Sequence, residues 1–240
     1  MSYKVYSKKR PYSYTWGAYP TIELIRQRPE LMERVLVHSL TDPGLIDQLK
    51  DEIDPDLIIQ NDSLLEKLAQ RENVYVLGVF RYQDQVIDQG NHILLEEPSN
   101  FGNLGTIIRT ALGLGYTNIG LIGHSCDHHH PQVVRASMGA IFSVKLQKFA
   151  DFSEYLEAFP HQTCYAFMGG SGLEISQLSA ITPPYSLIFG NESRGLDQSI
   201  ADFAIPVSIA MTDQVDSFNI TIAAGIGMYT FANKQKLGDV

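Results

Sequence analysis

The stretch NFGNLGTIIR, residues 100–109, combines amides, two glycines and an arginine in a spacing that could serve a ligand. Gly102 and Gly105 follow an apolar segment and open a helix, as a phosphate-binding turn does. A dinucleotide site needs a third glycine and an acid about 20 residues later, and a P-loop needs Gly-Lys-Ser/Thr. The stretch completes neither pattern. With Asn103 as the predicted N-cap, Arg109 lies at the border of the buried helix stripe, and its function needs another explanation.

Two further glycine turns carry polar side chains behind apolar strands. LIFGNESRGL places Glu192 between Gly190 and Gly195, and DSFNITIAAG places Ser217 and Asn219 at the start of a helix. Open α/β sheets bind ligands at the carboxyl ends of their strands, so we expect the three turns to converge on one pocket. For Arg109 alone, a surface ion pair with a carboxylate is an equally good interpretation.

Together the three segments resemble the signature motifs of the SpoU/TrmH branch of the SPOUT RNA methyltransferases, over roughly residues 90–235. The matching positions are, motif by motif, Asn103, Gly105, Arg109 and Ala111, then Gly190, Glu192, Gly195 and Leu196, then Ser217 and Asn219. The chain departs from the family at Phe218, where leucine is common, and in VSIAMTDQVDS, where a glycine-containing loop is usual.

The resemblance implies an enzyme that methylates a ribose 2′-hydroxyl in rRNA or tRNA with S-adenosylmethionine as its cofactor. The catalytic residues implied are Asn103, Arg109, Glu192 and Asn219. The cofactor-binding residues implied are Phe189, Gly190, Asn191, Gly195, Ile205, Ser217, Phe218 and Asn219. A guanidinium is a poor base, so the arginine is expected to orient and stabilise before it accepts a proton. A non-catalytic RNA-binding protein of the same fold is the alternative.

The pattern after His92 alternates apolar strands with helices, which indicates a mostly parallel sheet covered on both faces. A smaller α/β unit precedes it, and the polar segment 81–91 predicts a linker. We therefore predict an α/β protein with a small domain at residues 1–85 and a larger one at 86–240. The resemblance adds a SPOUT-type fold with a C-terminal trefoil knot, a homodimer, and a small domain that binds the RNA substrate.

Charge is unevenly distributed along the chain. The net charge is −9 overall, but residues 1–40 carry seven Lys/Arg against three acids. This bias makes the N-terminal segment the first candidate for contact with a polyanion, although a solvated surface would look the same. The candidate RNA-binding residues are Lys8, Lys9, Arg10, Arg26 and Arg28. Tyr12, Tyr14 and Trp16 either form a base-stacking arm or anchor the N-terminus.

Other classes of site are disfavoured. The two cysteines do not form a disulfide framework, and no apolar run reaches 18 residues, so a cytoplasmic location with no membrane partner is expected. HSCDHHH, residues 124–130, offers several metal ligands, but its spacing resembles neither a C-x-x-C nor an H-E-x-x-H site and we predict no metal. GGSGLE lacks the strand and helix context of a hydrolase elbow. An incomplete glycine fingerprint counts against a nucleotide-dependent oxidoreductase.

Overall fold

The computed structural model describes residues 3–170, 172–178 and 181–238, with only the backbone considered at 235–238. The chain divides into two compact units. The first runs to residue 83 and also takes in residues 127–143, and the second comprises 84–126 and the described chain after residue 143. The first break lies close to the boundary expected near residue 85, but segment 127–143 was expected in the second unit.

Eleven strands and seven α-helices form within the described ranges. The strands are β1 Tyr12–Trp16, β2 Met32–Val37, β3 Ile58–Gln60, β4 Val76–Arg81, β5 His92–Glu96, β6 Asn118–Ile122, β7 Lys145–Phe149, β8 Thr163–Phe167, β9 Leu173–Glu174, β10 Tyr185–Phe189 and β11 Ile205–Ser208. The helices are α1 Ala18–Gln27, α2 Pro43–Glu52, α3 Asp62–Ala69, α4 Phe101–Gly113, α5 Pro131–Ala136, α6 Phe152–Ala158 and α7 Ile220–Gly238. No helix among these residues is long and apolar enough to cross a membrane.

The first unit contains a four-stranded sheet in the order β1-β4-β2-β3. β4 pairs antiparallel with β1 and β2, while β2 and β3 run parallel. Two of its helices begin where a short polar side chain caps them. Asp42 accepts a hydrogen bond from Leu45 N at the start of α2, and Asn61 accepts one from Leu64 N at the start of α3. α1 begins at Ala18 after Gly17, which has no side chain to cap it.

The aromatic residues near the N-terminus are part of this sheet. Tyr14 and Trp16 are buried in β1, and Ser13 and Thr15 on the other face are buried as well. The Tyr14 hydroxyl donates to the Lys4 carbonyl at 2.5 Å, which fastens the preceding segment. For Tyr14 and Trp16 the structure supports the anchor, because buried rings are not available to stack on bases, whereas Tyr12 is only half-buried.

The second unit contains a seven-stranded sheet in the order β7-β6-β5-β10-β8-β11-β9. Each adjacent pair in it is parallel, which confirms the predicted fold class. The middle strands are buried along nearly their whole length, as expected when helices cover both faces. α4 and α7 pack together, and a Cβ atom on Gly225 of α7 would lie 3.8 Å from Thr110 Cγ2 of α4.

A row of buried, hydrogen-bonded polar side chains lies at the amino end of β5. His92 Nε2 donates to the Asp88 carbonyl at 2.7 Å, so Nδ1 accepts from the Tyr155 hydroxyl, also at 2.7 Å. The Tyr155 hydroxyl further contacts Ser186 Oγ at 2.6 Å. Burial lowers the pKa of His92, although the hydrogen bond to Asp88 opposes the change. The folded protein therefore holds a neutral imidazole here.

We expect this histidine to make the free energy of unfolding depend on pH. As pH falls below about 6.5, His92 takes up a proton in the unfolded chain before it does so in the folded one, so stability decreases by up to about 1.4 kcal/mol per pH unit. Thermal and denaturant unfolding between pH 8 and 5 measure this. His92→Phe should have a shallower pH dependence, and His161→Gln, at an exposed histidine, should match the wild type. If the free energy of unfolding changed equally with pH in all three proteins, His92 would not be the source of the pH dependence.

Candidate active site

A cavity of about 320 Å³ opens in the second unit at the carboxyl ends of β8, β10 and β11, beside the start of α7. Its volume is at the lower end of the range of about 300–1,000 Å³ for small-molecule sites. The lining residues are Phe167, Met168, Gly169, Phe189, Gly190, Asn191, Glu192, Ser193, Arg194, Gly195, Val207, Ile209, Met211, Ser217, Phe218, Ile220 and Ala223. The cavity lies at the sheet edge where open α/β folds bind ligands.

The turn after β10 forms one wall and requires its glycines. A Cβ atom on Gly190 would lie 2.4 Å from the carbonyl carbon of Gly195, closer than side chains approach backbone. Gly195 has a φ of +70° and donates its N–H to the Asn191 carbonyl at 3.0 Å. The two glycines therefore allow the chain to fold back on itself directly against the cavity.

Asn191 ties this turn to the end of β5. Its Nδ2 donates to the Glu97 carbonyl at 2.8 Å, and its Oδ1 accepts from Ser193 N at 2.9 Å. Glu97 itself adopts a left-handed backbone with a φ of 45°, which is uncommon for a residue other than glycine. The Asn191 side chain thus ties the turn to the end of β5 without the help of a charged side chain.

Glu192 connects the turn to the N-terminal end of α4. Its carboxylate accepts hydrogen bonds from Ser99 Oγ at 2.9 Å and from Ser99 N, Asn100 N and Asn103 Nδ2 at 3.3 Å each. Burial raises the pKa of Glu192, but hydrogen bonds from its own backbone N–H, Ser99 and Asn103 outweigh burial and lower the pKa overall. The positive end of the helix dipole favours the same ionised form. The first and second motif segments therefore meet at Glu192.

The N-cap of α4 is Asn100, so the expectation of Asn103 at that position is wrong. Asn100 Oδ1 accepts from Gly102 N at 2.8 Å and from Asn103 N at 3.0 Å, and its carbonyl accepts from Leu104 N. Helix α4 consequently begins three residues earlier than predicted. This register leaves the Asn103 side chain available to donate to Glu192.

The third segment reaches the cavity through Ser217 and Phe218. The next residue, Asn219, does not line the cavity; it caps α7, with Oδ1 accepting from Thr221 N at 2.8 Å and Thr221 Oγ1 at 2.7 Å. Ile205 does not line the cavity either. The residue of β11 that does is Val207, two positions further along the strand. Six of the eight candidate cofactor residues therefore surround one cavity, and two are close neighbours in the chain.

Arg109 lies away from these residues on the exposed face of α4. Gly102, Thr106 and Gly113 share this face at helical intervals, and all are exposed. Arg109 does not line the cavity, and it makes no hydrogen bond or ion pair with the part of the chain that the structure describes. Within one chain, Ser99, Asn100 and Asn103 therefore bind Glu192, but Arg109 does not join them.

The candidate RNA-binding cations of the first unit differ in their surroundings. Arg26 forms a two-pronged pair with Glu52 at 2.6 and 2.8 Å, and Arg28 pairs with Glu30 at 2.5 Å. Arg10 Nε donates to the Val5 carbonyl at 3.3 Å. Lys8 and Lys9 are exposed and have no ion pair with any described residue. Among these five candidates, the two lysines are therefore the most accessible to a polyanion.

In the 124–130 segment, Asp127, His128 and His129 bring one potential ligand atom each within 4.8 Å of one another. Both carboxylate oxygens of Asp127 already accept hydrogen bonds, Oδ2 from the Tyr6 hydroxyl and Oδ1 from His129 N at 3.1 Å. The His129 ring stacks on Tyr82 with centroids 3.9 Å apart. These contacts fasten Asp127 and His129 within the first unit, and the prediction that the segment binds no metal stays a prediction.

Several lining residues were not among the candidates from sequence. Phe167 ends β8 and stacks on Phe189, which ends β10, with ring centroids 4.5 Å apart. Its place at the carboxyl end of a buried strand is a signal that the sequence contains. Met211 and Arg194 lie in loops whose conformation has no comparable local signal.

Comparison with known proteins identifies a matching family and related sequences. A family model described as the SpoU rRNA methylase family matches residues 90–229. The 23S rRNA (adenosine(1067)-2′-O)-methyltransferase of Streptomyces laurentii is 30% identical over 161 residues, which cover 64% of this chain and 58% of that protein. The chain spans about half the length of the first curated relatives it matches, with 53%, 58% and 50% covered.

Solved structures show the same fold at lower identity. The SpoU methyltransferase AviRb from Streptomyces viridochromogenes superposes with a TM-score of 0.82 at 20% identity, covering 95% of this chain and 91% of that one. An AdoMet-bound rRNA methyltransferase from Sinorhizobium meliloti gives 0.79 at 22% identity, with 93% and 87% covered. Both units of the chain therefore have counterparts within single proteins.

Proposed function

Because this chain belongs to the SpoU rRNA methylase family, we propose that it transfers a methyl group from S-adenosylmethionine to the 2′-hydroxyl of a ribose in rRNA or tRNA. One observation carries the proposal. The Gly190–Gly195 turn, Ser217 and Phe218 line a single cavity, and Glu192 on its wall binds Asn103 of the first motif. A catalytic site needs this convergence, whereas a protein that only binds RNA does not.

The cavity suits the cofactor in shape and chemistry. Phe167, stacked on buried Phe189, offers an apolar surface, and the tight approach at Gly190 leaves backbone groups beside it. The cofactor-holding residues in this proposal are Phe189, Gly190, Asn191, Gly195, Ser217 and Phe218. Ile205 and Asn219, which lie close to lining residues in the sequence, support them. When bound, S-adenosylmethionine supplies an electrophilic methyl group on a sulfonium.

The protein's own residues have to orient the ribose and assist loss of its hydroxyl proton, since methyl transfer is an in-line displacement. Asn103, Glu192 and Asn219 provide fixed amide and carboxylate groups around the reaction site. Arg109 engages the ribose and its phosphate as an orienting, charge-stabilising group. No step requires a metal or a covalent intermediate.

The first unit is proposed to hold the RNA substrate. A single-stranded or looped region is favoured, because its ribose can reach a cavity that a stem would keep at a distance. Lys8 and Lys9 are accessible for phosphate contact, with Arg10 nearby in the chain. Arg26 and Arg28 can contribute only if RNA displaces Glu52 and Glu30. The proposal also includes a C-terminal trefoil knot in the second unit and a cytoplasmic location for the protein.

A homodimer completes the proposal, supported by an apolar face on α7. Ile222 and Tyr229 are 52% and 61% exposed, and half-buried Ile226 lies between them at helical spacing. The small residues of α7 do not require a partner, because a Cβ on Gly227 would lie 2.6 Å from Phe167 within the same chain. Covering the exposed stripe with a second copy would form a symmetric helix interface beside α4, where Arg109 lies.

We expect Tyr229→Glu combined with Ile222→Glu to shift the protein from dimer to monomer, because both charges would be placed on the apolar contact. Light scattering after size exclusion measures the mass, and the dimer dissociation constant should rise by more than about tenfold. Val86→Glu changes another exposed apolar side chain, on a different segment, and should leave the mass unchanged. A monomeric wild-type protein would refute the dimer.

Isothermal titration with S-adenosylmethionine separates the proposed enzyme from its alternative. Binding at one site per chain supports the methyltransferase. Absence of binding favours a non-catalytic RNA-binding protein of the same fold. Titration with NAD should show no heat of binding.

A further inference from the structure

Arg194 is a cation at the mouth of the cavity. Among the described residues that line the cavity, Glu192 and Arg194 are the charged ones. Arg194 Nη2 lies 2.9 Å from Glu97 Oε2 and 3.9 Å from Glu96 Oε1, while the side chain is 58% exposed. The guanidinium is therefore positioned by acids at the end of β5 and still faces solvent.

Arg194 is unsuited to holding the methyl donor. S-adenosylmethionine carries a positive sulfonium and ammonium against one negative carboxylate, so its net charge is positive and a guanidinium at the same cavity repels the molecule overall. An RNA chain, in contrast, is attracted by a positive charge, since a negatively charged phosphodiester flanks each ribose on both sides. A 2′-hydroxyl that enters the cavity necessarily brings a phosphate to its mouth. The planar fork of an arginine matches phosphate oxygens in a two-pronged contact.

The ion pair with Glu97 is not needed to shape the turn. Asn191 already fastens the turn through the Glu97 carbonyl at 2.8 Å, and Gly195 N closes it onto the Asn191 carbonyl at 3.0 Å. Exposed ion pairs of this kind contribute little to stability. A phosphate can therefore take the place of the Glu97 carboxylate without disturbing the backbone of the cavity.

We propose that Arg194 binds an RNA phosphodiester next to the target ribose, and that Glu97 holds the guanidinium at the cavity mouth until RNA displaces it. This inference rests on the proposed function and adds a phosphate contact from the second motif segment. It is distinct from the contact assigned to Arg109 on α4 and from the lysines of the first unit.

The test compares Arg194→Gln with Lys148→Gln, since each removes one positive charge from the second unit. Lys148 is exposed on β7, the strand at the far edge of the sheet from β9. The probe is total RNA from cells that lack the gene, bound to the protein at a series of salt concentrations. Arg194→Gln should weaken RNA binding about tenfold at low salt. It should also reduce the log–log salt slope by about 0.7, the value for one phosphate of a single strand.

The control results decide between phosphate binding and a structural role. Lys148→Gln should leave the salt slope unchanged, and Arg194→Gln should leave the affinity for S-adenosylmethionine unchanged. Glu97→Gln should bind RNA as tightly as wild type or more tightly. The proposal is overturned by an unchanged slope in Arg194→Gln, by a loss of cofactor affinity in that variant, or by an equal loss of RNA binding in Glu97→Gln. Failure of the wild-type protein to bind this RNA at low salt also overturns it.

Methyl transfer to the same RNA is measured separately. The wild-type protein could fail to transfer a methyl group while the salt slopes of Arg194→Gln and Lys148→Gln differ as expected. This result would refute the proposed function but would still support the phosphate contact of Arg194.

Discussion

We expect Arg109→Ala to abolish methyl transfer while its affinity for S-adenosylmethionine stays within about twofold of the wild type. The guanidinium is exposed on α4 and makes no hydrogen bond or ion pair with the described chain, so its removal should change neither the fold nor the cavity. An interaction made only with the substrate in the transition state lowers kcat and kcat/KM together. Single-turnover assays with saturating cofactor measure the loss, which should exceed about 100-fold.

Two further variants make this result specific. Arg109→Lys keeps the charge but loses the planar fork, so it should recover only a small part of the rate. Arg135→Ala removes an exposed arginine from α5 and should retain full activity. Activity of Arg109→Ala within about tenfold of wild type, or roughly 1.4 kcal/mol of barrier, would remove this residue from the chemistry.

Gly190→Ala should weaken S-adenosylmethionine binding by more than about tenfold, because its methyl group would lie 2.4 Å from the Gly195 carbonyl carbon. The neighbouring atoms are backbone, so the turn has to move, and overpacking of this kind costs about 1–3 kcal/mol. The turn forms the cavity wall, and its displacement changes the shape offered to the cofactor. Isothermal titration gives the dissociation constant directly.

Gly113→Ala is the matched control for this substitution. A Cβ atom at Gly113 would meet nothing within 4 Å, and alanine is the better helix former at the end of α4. This variant should bind the cofactor as the wild type does. If Gly190→Ala bound the cofactor equally well, the turn after β10 would not be part of the cofactor site.

The sequence predicted the parallel sheet and the segments around the cavity, because both follow from local patterns. Continuous apolar runs indicated strands covered on both faces, and glycines with polar neighbours marked the carboxyl ends. The start of α4 was misplaced because Asn100 and Asn103 are both good caps and only one is used. The choice depends on Glu192, which is distant in sequence and needs the Asn103 side chain.

Other features depend on long-range contacts that leave no local signal. Residues 127–143 belong to the first unit because of contacts such as Ser13 Oγ to the His129 carbonyl, across more than 100 residues of chain. α2 was missed because Leu49 is its one fully buried residue, although Asp42 and Pro43 are a recognisable start. In β1, aromatic and hydroxyl side chains alternate as in a strand with one buried face, and only the tertiary structure reveals that Ser13 and Thr15 on the other face are buried as well.

The most direct measurement is a map of 2′-O-methyl groups in total RNA from cells with and without the gene, followed by treatment of the unmodified RNA with purified protein and S-adenosylmethionine. We expect a ribose in rRNA or tRNA to lose its 2′-O-methyl group when the gene is absent and to regain it in the purified reaction. Identical maps, or a methyl group placed on a base instead of a ribose oxygen, would contradict this account.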